Sequence, residues 1–366
     1  MTGPVTPSAR AEGRKVSVVT LTFRRPDDLR DALPALLEHV ERLGGASASS
    51  DAARDVAELV VVDNDTVPSA REVVEAYAAD RPVRYVHEPR PGIAAARNRG
   101  LDACAGSDLL VFVDDDERPR EGWLAALLAT FDRTRATGVV GPVVSVFDGP
   151  VDPWIAAGRF FDRLRHPTGT RVPVVATNNL LLDLAAVRAL GVRFDERFGL
   201  SGGSDTVFSL EVGRRGGSFV WCDEAVVEDV VPPSRLTRRW VLRRAFRSGN
   251  SGTRAAVHVA RSTGERLVAR GRGGARGAVR ALGGALQYLA GTLARSAARQ
   301  ARGARTAARG AGMVVGALGL TYAEYARPAE VASGEVDDAQ AGAAPGGGAP
   351  VGARRGAAGT SGASSR

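Results

Sequence analysis

Three consecutive carboxylates, Asp114, Asp115 and Asp116, follow directly on the apolar run Leu109–Val113. That run is β-branched and aromatic, long enough for a buried strand and too short for a helix. Carboxylates crowded at a strand end repel one another and resist ionisation unless positive charge sits among them. A hard divalent cation, manganese or magnesium, is the natural neutraliser, commonly taking one or two carboxylates and completing its shell with substrate phosphates. The plainer use of the same residues is a solvated acidic turn that caps the next helix.

Further chemistry-bearing positions stand at strand ends and helix starts. Asp63 closes the apolar segment Glu58–Val62, and an acidic residue there suits hydrogen bonding to a ribose or a base edge. Thr22, Phe23, Arg24 and Arg25 follow the first apolar run, and Arg97 lies in the helical segment Ile93–Cys104. Arginines so placed match phosphate oxygens bidentately. Asp205 follows Gly202-Gly203-Ser204, far in sequence from the acidic triplet. A lone carboxylate there is suited to taking a proton from an attacking hydroxyl; its alternative use is helix N-capping. His87 and His166 lack the spacing of a metal site. Trp123, Trp154, Trp221 and Trp240 read mainly as packing residues, with Trp154 the best placed to stack on an acceptor ring.

The elements that must position these groups alternate. Strands are expected at Val16–Phe23, Glu58–Val62, Val83–His87, Leu109–Val113, Gly138–Phe147 and Phe219–Cys222. Helices are expected to begin at Pro26, Val67, Ile93, Glu121, Asp205 and Leu236. In the first, Leu29, Leu33, Leu36, Leu37 and Val40 fall at helical spacing. This alternation, with polar residues at the strands' carboxyl ends, implies an α/β fold with a mainly parallel sheet flanked by helices and a site along one edge. Gly149–Pro173 is irregular and reads as an insertion or lid, and Glu228-Asp229 with Pro232-Pro233 reads as a turn.

At 366 residues the chain can bury a sizeable core. Cys104 and Cys222 offer neither a disulfide framework nor metal-ligand spacing. The N-terminus lacks an apolar leader, and no apolar span reaches bilayer length. The net charge of +8 is uneven: residues 253–327 hold thirteen arginines against Glu265 and Glu324, leaving about −3 for the remainder. Within that region Leu282, Leu286, Leu289 and Leu293 share one helical face, although Gly283, Gly284 and Gly291 weaken the helix. The organisation expected is a disordered N-terminus over 1–14, an α/β domain over 15–250, a basic amphipathic helical appendage over 251–327 and a disordered Gly/Ala/Ser-rich tail over 328–366.

Five ordered motifs carry a family resemblance: Val-Ser-Val-Val-Thr-Leu-Thr-Phe-Arg-Arg-Pro from Val16, Val-Val-Val-Asp-Asn from Val60, Gly-Ile-Ala-Ala-Ala-Arg-Asn-Arg-Gly from Gly92, Phe-Val-Asp-Asp-Asp-Glu from Phe112 and Gly-Gly-Ser-Asp from Gly202. Over roughly residues 15–250 the chain resembles the family-2 inverting glycosyltransferases of the GT-A fold. The segment Val231-Pro-Pro-Ser-Arg-Leu-Thr-Arg-Arg-Trp is similar to the subgroup that builds succinoglycan-type exopolysaccharides. The resemblance implies a nucleotide-sugar donor, UDP-hexose first, and a divalent metal, manganese or magnesium. It implies donor contacts from Thr22, Phe23, Arg25, Asp63, Arg97, Asp114 and Asp115, a metal contact from Asp116, and Asp205 as the base of a single inverting displacement. The acceptor implied is lipid-linked or polysaccharide, with no nucleic acid as partner.

The chain departs from the family pattern at three places. Ser204 stands where a Glu is usual, Glu228-Asp229 where a His is frequent, and Leu236 replaces the Gln of the processive Gln-x-x-Arg-Trp motif before Arg239-Trp240. One sugar per encounter is therefore expected. The alternative function is a degenerate, inactive nucleotide-sugar-binding or membrane-tethered scaffold. The arginine-rich region, which near anionic headgroups gains about 1 kcal/mol per Arg, implies a cytoplasmic enzyme peripheral on the inner membrane face; a solvated arginine tail is its alternative.

Overall fold

A computed structural model describes residues 13–45 and 55–322. The expected disordered segments lie almost wholly outside them: of 1–14 only the last two residues are described, and of 328–366 none. The chain runs β1 (Lys15–Thr22), α1 (Pro26–Gly45), β2 (Val56–Asp63), α2 (Arg71–Ala78), β3 (Val83–His87), α3 (Ile93–Ala103), β4 (Leu109–Asp114), β5 (Glu117–Pro119) and α4 (Trp123–Thr134). It continues through β6 (Gly138–Val140), β7 (Val143–Phe147), α5 (Pro153–Gly158), β8 (Arg171–Val172), β9 (Asn179–Asp183), α6 (Leu184–Leu190), α7 (Ser204–Arg214), β10 (Phe219–Trp221) and β11 (Val227–Val231). Three helices follow: α8 (Arg238–His258), α9 (Thr263–Leu293) and α10 (Ala297–Ala317).

The main sheet has the order β3-β2-β1-β4-β9-β6-β10-β8. Its first four strands are parallel, β9 runs antiparallel between β4 and β6, and β8 pairs antiparallel with β10. The strands alternate their side chains between two layers. Val16, Val18, Leu59, Val61, Leu109 and Val111 face a core completed by α1 and α4. Val19, Leu21, Val60, Val62, Leu110 and Phe112 face one completed by α3 and α7. Apolar residues on both faces are what a sheet covered by helices on each side demands.

Register then assembles the site. Thr22 pairs with Asp63, Asp63 with His87, and Leu21 with Asp114, so four strand ends present their polar residues along one edge. Asp63 and Asp114 stand two strand spacings apart, about 10 Å. Where a turn was expected at Glu228-Asp229, the chain forms β11, the centre of a second sheet ordered β5-β11-β7. Its pattern Val-Glu-Asp-Val-Val alternates only in part, which hid the strand from periodicity.

The C-terminal helices contain a second departure. α8 runs unbroken through Asn250, and α9 is a 31-residue helix despite its glycines. Gly277, Gly284 and Gly291 recur every seventh residue and are buried, as are Gly303, Gly310 and Ala317 on α10. A Cβ added at Gly284 would lie 2.3 Å from the Ala307 amide nitrogen, and one at Gly310 would lie 2.4 Å from that of Ala281. The glycines read as weakening α9 are therefore the surface on which two antiparallel backbones touch. α10 meets α8 the same way: a Cβ at Gly312 would lie 1.9 Å from the Phe246 carbonyl oxygen.

Gly312→Val is expected to lower stability in urea by roughly 1–3 kcal/mol, because neither backbone can withdraw from the added methyls. Gly283 has open space around the position of its missing Cβ; Gly283→Ala should leave stability unchanged or raise it by up to about 1 kcal/mol. Circular dichroism during urea unfolding checks both.

Candidate active site

The acidic triplet closes β4 and is partly enclosed by the protein. Burial, with repulsion from Asp116 and Asp115 against the opposing pull of Arg97, raises Asp114 to about 7. Burial likewise raises Asp115 to about 6, although Arg25 works against it. Asp115 keeps one oxygen, Oδ2, buried without any hydrogen-bond partner. A fourth carboxylate, Glu117, is also buried; its Oε2 accepts from the Asp114 amide at 3.2 Å and its Oε1 from Asn178 Nδ2 at 2.7 Å. Burial and the proximity of Asp114 push Glu117 well above the usual carboxylate range.

Guanidiniums close the cluster on two sides. Arg25, just past β1, places Nη1 3.4 Å from Asp115 and 3.2 Å from Asp116. Arg235, in the short turn before α8, places Nη1 3.0 Å from the same Asp116 oxygen. β11 contributes Asp229, which is directly opposite Glu117 in the ladder and pairs with Arg163 at 2.5 Å. Arg163 and Arg235 were not legible as site residues, and Asp229 was noted only as part of the Glu228-Asp229 pair that stands where a His is frequent. Their signal lay in the insertion and in a strand without clean periodicity, and only the second sheet brings them to the triplet.

On the other side, Asp63 is fully buried and committed to local bonds. It accepts from the Ala70 amide at 2.8 Å, the Asp65 amide at 3.2 Å and the Tyr85 hydroxyl at 3.0 Å. Its carboxylate fixes the loop after β2. Asp65 is held there by Arg24, 3.0 Å away; Asn64 donates to the carbonyls of Glu88 and Arg90 and accepts from the Gly92 amide, setting the start of α3. Thr22 turns a buried hydroxyl toward this edge, and Phe23 is an exposed ring beside Arg24, which lies 5.2 Å over it. His87 bonds the Asp65 carbonyl, a structural role.

α3 and α7 carry the rest. Arg97 donates from Nη1 to the Ser204 hydroxyl at 2.8 Å, lies 5.5 Å over the Phe194 ring and leaves Nε buried without a partner. Its charge acts directly on Asp114. Asp205 sits in the first turn of α7, whose N-cap is Gly203 in the left-handed region at φ 98°. Asp205 therefore does not cap the helix. Among the described residues its side chain accepts only from its neighbour Thr206, at 2.7 Å from the amide. The carboxylate is half-exposed, linked to the triplet through Ser204 and Arg97.

Trp154 differs from expectation. It is buried, stacked 5.3 Å from Phe160 and covered by Arg238, so no face remains for a sugar. The insertion that holds it packs on α8 and α10 through Ile155, Phe161 and Ala301, an apolar cluster that sequence irregularity concealed.

No three carboxylates or imidazoles among the described residues converge as a ready-made metal centre. The donor set nevertheless fits a divalent cation that takes only one or two carboxylates and substrate oxygens. The orphaned Asp115 oxygen and the raised pKa values mark a place where positive charge is wanted.

Comparison with known proteins agrees with the motif order. The profile described as Glycosyl transferase family 2 matches residues 17–191. The chain is 36% identical to the succinoglycan biosynthesis protein ExoM of Rhizobium meliloti over 248 residues, 67% of this chain and 76% of that protein. The chain belongs to glycosyl transferase family 2. This glycosyltransferase is also 30% identical over 209 residues to the pre-mycofactocin glycosyltransferase of Mycobacterium tuberculosis, covering 54% of this chain and 43% of that one. Among solved structures, S. aureus TarS 1-349 superposes with a TM-score of 0.45 at 17% identity, over 80% of this chain and 90% of that one. No helix among the described residues is long and apolar enough to cross a membrane.

The acidic cluster gives this glycosyltransferase a definite pH dependence without metal. Folding favours the neutral forms of Asp114 and Asp115, whose values rise from 3.8 to about 7 and about 6. Between those limits the folded chain holds protons that the unfolded chain has released, so the two groups make stability fall as pH rises from about 4 to about 7. In EDTA, Asp114→Asn should shrink that loss and raise Tm at pH 8 by at least about 3 °C. Thermal melts of the wild type and the variant at pH 5.5 and pH 8 test it.

Proposed function

We propose that the protein is an inverting, metal-dependent glycosyltransferase that moves a hexose from a nucleoside-diphosphate donor, UDP-hexose first, to a lipid-linked or polysaccharide acceptor, one sugar per encounter. The observation that carries this is the acidic triplet at the end of β4, flanked by Arg25, with Arg97 acting on Asp114 and bonding Ser204, the residue before Asp205. ExoM, by its name, acts in succinoglycan biosynthesis, which supports exopolysaccharide assembly as the setting.

In this reading Asp116, with Asp115 beside it on the donor, would hold a divalent metal, which would supply stabilisation of negative charge on the departing group. Arg25, already 3.2 Å from Asp116, reaches the same phosphate oxygens. Thr22, Phe23 and the loop fixed by Asp63 line the nucleoside end. Arg97 steadies Asp114 and the start of α7. Asp205 takes the proton from the acceptor hydroxyl as it attacks the anomeric carbon opposite the leaving diphosphate, and its exposure leaves it within reach of that hydroxyl.

The membrane half of the proposal rests on α9. Leu282, Leu286, Leu289 and Leu293 are 68%, 67%, 58% and 88% exposed, and Leu267, Val268 and Val279 lie exposed within about 60° of Leu282 on the helix. This ridge is opposite the glycine seam, and nothing among the described residues covers it. Arg272 and Arg276 border it, a pairing suited to an anionic bilayer surface on the cytoplasmic side.

Asp205→Asn should abolish transfer, by at least about a hundredfold, while UDP binding with manganese stays within about twofold of wild type; a thermal-shift panel of UDP-, GDP- and dTDP-sugars reads the binding. Loss of UDP binding in that variant, or absence of any nucleotide response in the wild type, rejects the assignment. Leu282→Ser, Leu286→Ser and Leu289→Ser combined should reduce co-flotation with phosphatidylglycerol vesicles at least about tenfold with Tm unchanged; undiminished flotation rejects the ridge as the contact.

A further inference from the structure

Beyond Asp116, on the side away from the nucleoside end, half-buried arginines outnumber the carboxylates paired with them. Arg163 spends Nη2 on Asp229 at 2.5 Å and leaves Nε buried with no partner. Arg235 divides itself between Asp116 at 3.0 Å and the second Asp229 oxygen at 3.9 Å. Arg244, on α8, has no carboxylate within ion-pair distance among the described residues. It lies instead 5.4 Å from the Trp240 ring centre and 5.9 Å from that of Phe161, two rings stacked with planes 7° apart. Burial and the neighbouring Arg163 hold its pKa down at about 10, with Asp229 only partly relieving them. One aspartate thus faces three guanidiniums, and Asp116 is already shared with Arg25. Guanidiniums gathered without their counter-charge are costly unless an anion completes them.

We propose that Arg163, Arg235 and Arg244 form a phosphate site on the acceptor side of the acidic cluster, which takes the phosphate or diphosphate ester of the acceptor. This rests on the glycosyltransferase reading for which end of the cluster the acceptor approaches. The placement agrees with the surrounding packing: Phe161 and Trp240 belong to one cluster with Ala301 of α10, and α10 carries α9 with its exposed apolar ridge. A lipid-linked diphosphate would then meet its charge here and its chain at the ridge. The donor's diphosphate has the same chemistry, so the test separates the two sources.

The probe is inorganic pyrophosphate, titrated into the full chain in EDTA and read by thermal shift and calorimetry; UDP with manganese is titrated in parallel. Wild type should bind pyrophosphate, and Arg163→Gln and Arg244→Gln should each weaken it at least about tenfold while UDP affinity stays within about twofold. Arg244→Lys, which retains charge but loses the planar fork, should fall between. Arg238→Gln, which removes a charge from the same helix through its pair with Asp152, should leave pyrophosphate binding unchanged. If wild type shows no pyrophosphate binding, or Arg238→Gln weakens it as much as the cluster variants, there is no such site. If UDP affinity falls with pyrophosphate affinity, the cluster serves the donor and the acceptor assignment is overturned. Should Arg163→Gln fail to fold, the Arg244 pair and the wild-type titration still decide. Loss of UDP binding by the wild type alone would instead strike at the glycosyltransferase reading.

Discussion

The structure turns on carboxylates that the fold buries against one another at the end of one strand. Asp114, Asp115, Asp116 and Glu117 leave β4 in succession, and β11 adds Asp229 opposite the last of them. Burial together with mutual repulsion is what raises Asp114 and Asp115 toward neutral pH. Carboxylates held together at such a cost in burial and repulsion mark a functional site more often than a stabilising one. Arg25 and Arg235 both lean on Asp116, so the metal-free chain already neutralises that carboxylate with its own side chains.

How far this was readable from sequence depended on where each residue sat in the sheet. Thr22, Asp63 and Asp114–Asp116 end parallel strands whose apolar runs are unmistakable, and register alone brings them to one edge. Asp63 was legible as a strand-end acid, yet its bonds to Ala70, Asp65 and Tyr85 were not, because the partners come from a loop and the next strand. Arg163 and Arg235 escaped, and the partners of Asp229 with them, for a deeper reason. They stand in an insertion, a turn and a three-stranded sheet of short elements, and no local pattern encodes tertiary pairing of that kind. Trp154 was misplaced on the same ground: an aromatic in an irregular segment looks free until the helix that covers it is known.

The C-terminal helices reverse a usual inference. An amphipathic helix is expected to turn its leucines inward, and glycines inside a helix are expected to weaken it. Here the glycines repeat every seven residues on both α9 and α10 and form the seam, which leaves the leucines outside. Counting apolar residues locates the amphipathic face correctly but cannot say which face the protein keeps. Small residues at constant spacing on two successive helices carry that information, since only close backbone approach gives them a use. An apolar ridge left outside in this way is informative where scattered surface leucines are not.

Ser204 links these considerations to the chemistry. A glutamate at that position would place a second charge beside Arg97 and draw its guanidinium toward α7. Serine offers only a hydroxyl, which accepts one Arg97 hydrogen bond at 2.8 Å and leaves the positive charge unspent, with Nε free of any partner. That charge is then felt by Asp114, where it opposes both burial and the repulsion of the neighbouring aspartates. The substitution therefore relocates charge: the cluster gains from Arg97 what the start of α7 gives up. Asp205 stands next to a neutral neighbour, and its carboxylate remains the sole negative side chain in the first turn of that helix.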